Sequence, residues 1–398
     1  MLSTLISNCR VITSEQVLEG HCLEITGGVI SRIIPQAETG AKQYDITLDC
    51  MGNYVAPGFI DLHNHGNSGF DVMDATPEAL EQMARFHLRN GVTGFLGTTM
   101  SKSIGEIRQA IQKMVAYARS QNRRTGGEHC SELLGIYLEG PYLSKKRKGA
   151  QAEEHLKTPD LTELKDFLEI AQEYMKVVAI APELPGALET IGYLKSEGIV
   201  AAAGHTDATY EQIMEAVEAG VTDTVHLFNG MRGFGHREPG PPGALLLDQR
   251  VTCELICDGI HLHPAVVDLV VRLKGVADIV LISDAMRATG LGDGRFDLGG
   301  QQVFVSGGIA RLSDGTLAGS TLTLDRAVYN AITMAKLPVC EGVRMATLNP
   351  AKLIGVADRK GSIELGKDAD LVVFDEQIRI KHVIKAGKIV FSSSSAQK

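Results

Sequence analysis

The chain has no long apolar run, no excess of positive charge and no paired cysteine motif, and each absence removes a class of protein. No stretch approaches the ~18 consecutive apolar residues of a membrane span. The opening Met1-Leu2-Ser3-Thr4-Leu5-Ile6-Ser7-Asn8-Cys9-Arg10 lacks a cationic start followed by a long apolar segment, so no secretory signal is expected. Acidic residues outnumber basic ones, 48 to 39, for a net charge of -9. That balance argues against nucleic acid or an anionic membrane as the main partner, and an anionic substrate would need local basic residues to overcome the field. The seven cysteines are scattered, with no CxxC pair. An odd, dispersed set predicts a reducing, cytoplasmic setting without a disulfide framework. Cys253 and Cys257 are expected on one face of a strand as core thiols. Low-complexity linkers and internal repeats are missing too. What remains is an ordinary globular composition, 44% hydrophobic and 22% charged, in 398 residues. That length allows one large domain and a smaller one.

Residues 1–56 read as short strands and turns, with a hairpin signal where Gly27-Gly28 separates Leu23–Thr26 from Val29–Ile34. From residue 57 strands alternate with helices. A helix over 77–90 puts Leu80, Met83, Ala84, His87 and Leu88 on one face, behind a Thr76 N-cap and Pro77. The next carries Ile107, Ala110, Ile111, Met114 and Val115 at the same spacing, with a capping box from Ser103 to Glu106. Thr209 and Gln212 repeat that box. Eight strands are expected near 57–63, 94–99, 132–139, 176–182, 199–205, 223–228, 252–261 and 279–284. Eight alternations favour parallel strands, right-handed crossovers and a closed (β/α)8 barrel over 57–354. The Gly-rich 289–319 stretch reads as a β-hairpin insertion, and helices near 320–336 and 341–353 follow. Residues 355–398 return to β pattern, so the two termini join into a small β-sandwich domain.

Ligand-type residues sit where these strands stop. His63 and His65, spaced i, i+2 in Pro57-Gly58-Phe59-Ile60-Asp61-Leu62-His63-Asn64-His65-Gly66, point to one side of an extended segment. Glu139, His205, His226, His261 and Asp284 end further apolar runs. Active sites of such barrels lie at the C-terminal ends of the strands. His63, His65, Glu139, His205, His226 and Asp284 together suit Zn²⁺ or another first-row divalent ion, and a carboxylate among them can bridge two ions. Any one of these histidines alone reads as a satisfied core residue. His87 on its helix, and His21, His129, His155 and His382, keep that plain reading. Lys145-Lys146-Arg147-Lys148 reads as a solvated loop, and Gly290–Gly294 as a flexible turn.

The same motifs carry a resemblance. The segment from Pro57 to Gly66 is similar to the opening motif of the amidohydrolase superfamily. Leu138-Glu139-Gly140-Pro141-Tyr142, Gly204-His205-Thr206-Asp207-Ala208, His226-Leu227-Phe228-Asn229-Gly230-Met231, Arg237-Glu238-Pro239-Gly240 and Ser283-Asp284-Ala285 resemble the N-acetylglucosamine-6-phosphate deacetylases in particular. Leu317-Ala318-Gly319-Ser320, Asn349-Pro350-Ala351 and Gly366-Lys367-Asp368-Ala369-Asp370-Leu371 continue the match in family order.

The resemblance implies hydrolysis of the acetamido group of N-acetylglucosamine 6-phosphate, or of its galactosamine isomer, to acetate and the amino sugar phosphate. It implies one ion at Glu139, His205 and His226, and a second at His63 and His65, completed by Asp284 and bridged by Glu139. Asp284 would also act as the catalytic base. Asn229, Gly230, Arg237 and His261 would bind the sugar phosphate, Arg237 from the neighbouring subunit of a homodimer. Ala150, Leu317, Ala318 and Gly319 would add contacts, mostly through the backbone. One position departs from the family pattern: Gly149-Ala150-Gln151 has glutamine where a carbonyl-polarising histidine is usual. Glutamine donates an amide N–H but cannot become cationic. Two rival readings are an amidohydrolase acting on another amide or cyclic amide, and a catalytically inactive sugar-phosphate-binding barrel.

Overall fold

The computed structural model of the chain describes residues 2–40, 42–123 and 129–393. Eight parallel strands follow one another around the core: β1 (Phe59–Asp61), β2 (Val92–Thr98), β3 (Glu132–Leu138), β4 (Met175–Ile180), β5 (Val200–Ala203), β6 (Val221–Thr224), β7 (Thr252–Leu255) and β8 (Ile279–Leu281). Most are almost continuously apolar, because helices cover one side of the sheet and the barrel interior lies on the other. β2 is buried along its whole length.

β1 and β8 complete the ring in two different ways. At the C-terminal rim, Asp284 N–H donates to His63 O at 2.9 Å, and Asn64 bridges to Ala285 in parallel fashion. At the base, Met345 and Ala346 lie between the two strands: Leu281 N–H donates to Met345 O at 2.9 Å and Ile60 N–H to Ala346 O at 2.8 Å. The rim is therefore drawn together where His63, His65 and Asp284 emerge.

The expected caps are present. Thr76 Oγ1 accepts from Ala79 N–H at the start of helix Pro77–Arg89. Ser103 and Glu106 exchange bonds before helix Ile104–Arg123, and Thr209 and Gln212 form a capping box on helix Tyr210–Ala219. The seventh strand is shorter than expected. It ends at Leu255, because Asp258 Oδ1 accepts from both Ile260 N–H and His261 N–H at 2.8 Å and turns the chain. His261 therefore rides a loop instead of ending a strand, and Cys257 leaves the strand that holds Cys253, though both thiols stay buried.

The two termini share one hydrogen-bonded sheet, joined where Leu371–Phe374 pairs antiparallel with Tyr54–Pro57. It has its own core, including Ile6, Val11, Leu23, Ile25, Val55, Leu371 and Ile384. Lys360 ties this unit to the base of β3, reaching Asp370 at 2.5 Å and Glu132 at 2.9 Å. The insertion after β8 is a three-stranded antiparallel sheet, Gly294–Leu298, Gln301–Ser306 and Ile309–Leu312. It packs on Met100 and Met286, and the Gln301 amide donates to Ala150 O. No helix among the described residues is long and apolar enough to cross a membrane.

Candidate metal centre and active site

The ligand-type residues stand just past the strand ends. β5 stops at Ala203, two residues before His205; β6 stops at Thr224, two before His226; β8 stops at Leu281, three before Asp284. All three adopt left-handed backbone, with φ of 44°, 29° and 47°. Non-glycine residues rarely sit there, and such strain gathers at functional sites. The left-handed turn takes each side chain out of the strand's alternation. Past Asp61 the alternation continues through the Asn64 bridge, so His63 and His65 emerge on one side, as their spacing predicts.

Glu139 lies at the centre. Its Oε1 is 3.1 Å from His205 Nε2, 3.2 Å from His226 Nε2 and 3.6 Å from His63 Nε2. Its Oε2 is 3.3 Å from His65 Nε2. Asp284 Oδ1 approaches His65 Nε2 at 3.4 Å and His63 Nε2 at 3.9 Å. All six are buried. Burial alone would raise the Glu139 carboxyl, but His63, His205 and His226 outweigh it and hold the group well below its usual range. Asp284 is likewise lowered despite burial, mainly by His65 and His63.

Two overlapping groups, His63/His65/Glu139 and Glu139/His205/His226, each bring one ligand atom per residue within 4.8 Å of the others. His63 Nε2 is buried and has no hydrogen-bond partner, though it faces two carboxylates. An orphaned imidazole nitrogen in a set of nitrogen and carboxylate oxygens suits a divalent first-row ion. The residues present fit a metal.

A cavity of about 200 Å³ opens above this cluster. His65, Glu139, His205, His226 and Asp284 form its floor, and Ala150, Asn229, Gly230, His261, Leu317 and Gly319 line its walls. Ala318 is buried behind the wall, and Arg237 is exposed outside it. The His261 ring is held by Asp258, Nδ1 to Oδ2 at 2.7 Å. A wider cleft of about 520 Å³ beside the cavity, lined by Lys145, Lys146, Asp207 and Arg232 among others, contains none of the cluster.

The chain matches the Amidohydrolase family over residues 54–390. It is 38% identical to the N-acetylgalactosamine-6-phosphate deacetylase of Escherichia coli, covering 96% of this chain and 97% of that protein. It is also 38% identical to the N-acetylglucosamine-6-phosphate deacetylase of Bacillus subtilis, over 99% and 98% of the two chains. The chain belongs to the amidohydrolase family, in its N-acetylglucosamine-6-phosphate deacetylase branch. Among solved structures, the Mycobacterium smegmatis deacetylase in complex with N-acetyl-D-glucosamine-6-phosphate superposes with a TM-score of 0.90 at 33% identity, covering 98% of this chain and 99% of that one. The Pasteurella multocida deacetylase gives 0.91 at 30%, covering 98% and 100%.

Within this amidohydrolase, Gln151 does not offer its amide to the cavity. Its Nε2 donates to Glu139 Oε2 at 2.7 Å and lies 3.7 Å from Met100 Sδ, while its Oε1 accepts from Ser101 N–H at 2.8 Å. The Ser101 bond settles which end of the amide faces Glu139. Sequence reasoning also missed the groups behind the ligands. Main-chain carbonyls of Thr98, Arg147 and Asn229 hold His65, His205 and His226. Nothing in a sequence marks one carbonyl over another. Glu254, buried in β7 against His63 Nδ1 at 3.1 Å, did leave a signal: an acid flanked by Cys253 and Leu255 inside an apolar run.

Proposed function

We propose that this amidohydrolase removes the acetyl group of N-acetylglucosamine 6-phosphate, giving acetate and the amino sugar 6-phosphate. The observation that carries the reading is the convergence of four imidazoles and two carboxylates, five of these six groups forming the floor of one cavity and His63 lying buried among them. In a second reading the galactosamine isomer is preferred; the Escherichia coli relative named for it favours that. Acetate release from the two isomers, with metal content measured on the same sample, tests both. Failure on both isomers would send the search to other amides.

His205, His226 and Glu139 would hold one divalent ion, and His63, His65 and Asp284 a second, with Glu139 shared between them. The donor set accepts Zn²⁺, Fe or Mn without distinguishing them, and Zn²⁺ is the favoured assignment. A bound ion supplies Lewis-acid polarisation of the acetyl carbonyl and lowers the pKa of a water toward ~7. Asp284 Oδ takes a proton from the water whose oxygen bonds to the acetyl carbon. It returns that proton to the sugar nitrogen as the C–N bond breaks, so the amine leaves neutral. Gln151 gives one N–H to Glu139 and turns the other toward Met100 Sδ, so carbonyl polarisation does not fall to it.

Asn229, Gly230 and His261 would hold the sugar and phosphate from the cavity wall, with Ala150, Leu317 and Gly319 contributing backbone and Ala318 supporting that wall. Glu238 receives Tyr210 N–H and Gly240 N–H through Oε1 at 3.2 and 3.1 Å, and the exposed Arg237 pairs with no carboxylate among the described residues, which suits it to an external anion. Phe234 on the same loop is 63% exposed. That pairing suits a loop covered by a second subunit, with Arg237 reaching the neighbour's phosphate in a homodimer. The division of the chain follows the same reading, with 1–56 and 355–398 as the small domain and 57–354 as the catalytic barrel. Seven free cysteines accord with a reducing cytoplasm.

A further inference from the structure

The four histidines of the centre are oriented in two different ways. His65 Nδ1 meets Thr98 O at 3.2 Å, His205 Nδ1 meets Arg147 O at 2.8 Å, and His226 Nδ1 meets Asn229 O at 3.2 Å. A carbonyl only accepts, so each of these rings carries its proton on Nδ1 and turns the Nε2 lone pair toward the centre. No side-chain substitution removes those partners. His63 differs: its Nδ1 meets a side chain, Glu254 Oε2, at 3.1 Å.

We propose that Glu254 is the positioning residue of the His63/His65 half of the centre, fixing the tautomer and plane of His63 so that its Nε2 can bind an ion. The proposal rests on the reading that these two histidines hold one. The same Glu254 oxygen also accepts His226 N–H at 3.1 Å, and Glu254 O accepts Leu227 N–H at 2.9 Å. One residue of β7 therefore ties His63 to the left-handed turn that carries His226. The His63 Nε2 that this bond aims stands farther from the carboxylates than those of the other three rings and is unpartnered.

The setting argues that this carboxylate is not kept for stability. Glu254 is 0% exposed and lies against a second buried carboxyl, Asp223 of neighbouring β6, which burial and the Glu254 charge push well up. Burying an acid under those conditions is costly, and an apolar residue of similar volume would avoid the cost.

The test titrates metal-free wild type, Glu254→Leu and Glu254→Gln with Co²⁺, following visible absorption and equilibrium dialysis. Wild type should take two ions. Glu254→Leu should keep the first and bind the second ten- to a hundredfold more weakly, the usual loss when such a partner of a ligand is removed. Gln can accept the same two hydrogen bonds, so Glu254→Gln should stay within about threefold of wild type. Two ions bound normally by Glu254→Leu would overturn the proposal, as would a Gln variant impaired as much as the Leu variant. If Glu254→Leu does not fold, ¹⁵N NMR of the Zn²⁺-loaded wild type decides: His63 should carry an exchange-protected Nδ1 proton, and a bare Nδ1 refutes the assignment. A wild type that never exceeds one ion removes the two-ion reading, and the proposal with it.

Discussion

Glu139→Gln tests the shared carboxylate, and the surroundings of Glu139 dictate how it fails. An amide has one accepting end and one donating end, whereas one Glu139 oxygen must accept from Gln151 and both must offer lone pairs to the ions they would share. Suppose the NH₂ group takes the Oε2 position. It then meets the Gln151 amide donor, now 2.7 Å from that oxygen, and Gln151 cannot flip without releasing Ser101 N–H. Suppose instead that the NH₂ group takes the Oε1 position. It then points at the Nε2 atoms of His205 and His226, now 3.1 and 3.2 Å away, and occupies the lone pairs an ion would use. Either orientation spoils one half of the centre, and the lost charge weakens both. A charge-assisted contact is worth about 1.5–3 kcal/mol, so each ion should bind roughly ten- to a hundredfold more weakly. The assay is Zn²⁺ stoichiometry and affinity by equilibrium dialysis on the folded variant, with circular dichroism as the fold control. A Glu139→Gln protein that keeps one ion at wild-type affinity would refute the shared-ligand argument.

Three further outcomes are expected. Asp284→Asn keeps the shape of the side chain but cannot accept a proton, so kcat should fall ~10²–10⁴-fold with KM little changed; a rate within tenfold of wild type excludes the proton-transfer role. Arg237→Ala should raise KM for the phosphorylated substrate roughly ten- to a hundredfold with kcat nearly unchanged, and leave unphosphorylated N-acetylglucosamine unaffected; sedimentation of a fully active monomer would sink the cross-subunit contact. Glu132 is pushed up by burial but pulled down further by Lys360, Lys385 and Arg359, to about 2. A folded pKa below the unfolded one adds stability that is present above the unfolded value and lost as pH falls through the folded one. That amounts to about 3 kcal/mol between roughly pH 5 and pH 2. Urea unfolding across that range should show Glu132→Gln with a flatter acid limb than wild type, and identical limbs would refute the ion network's part in acid stability.

The barrel was legible because most of its strands are apolar on both sides and its helices carry their caps in the sequence. Thr76, Ser103 and Thr209 mark helix starts by chemistry that acts over three residues, so no distant partner was needed to read them. The gathering of the candidate ligands at one rim was legible for a related reason. A histidine or carboxylate directly after an apolar run has nowhere to go but the rim of the barrel. His261 does not end a strand as expected, since Asp258 ends β7 early and carries the ring to the cavity on a loop. The Gln151 position could be seen as a departure, but not which way its amide would turn.

What the chain determined alone, then, is the set of local decisions: where strands stop, where helices begin, and which residue types stand at each boundary. Tertiary structure decided everything that depends on a partner far along the chain. Glu254 is 191 residues from His63, and Gln301 is 151 from Ala150. Met345 and Ala346 lie between β1 and β8 at the base, while Asn64 and Ala285 draw them together at the rim. The physical reason is that hydrogen-bond partners for a ligand's second nitrogen are mostly main-chain carbonyls. Every residue owns one, so only the folded backbone selects which carbonyl comes within about 3 Å of the ring.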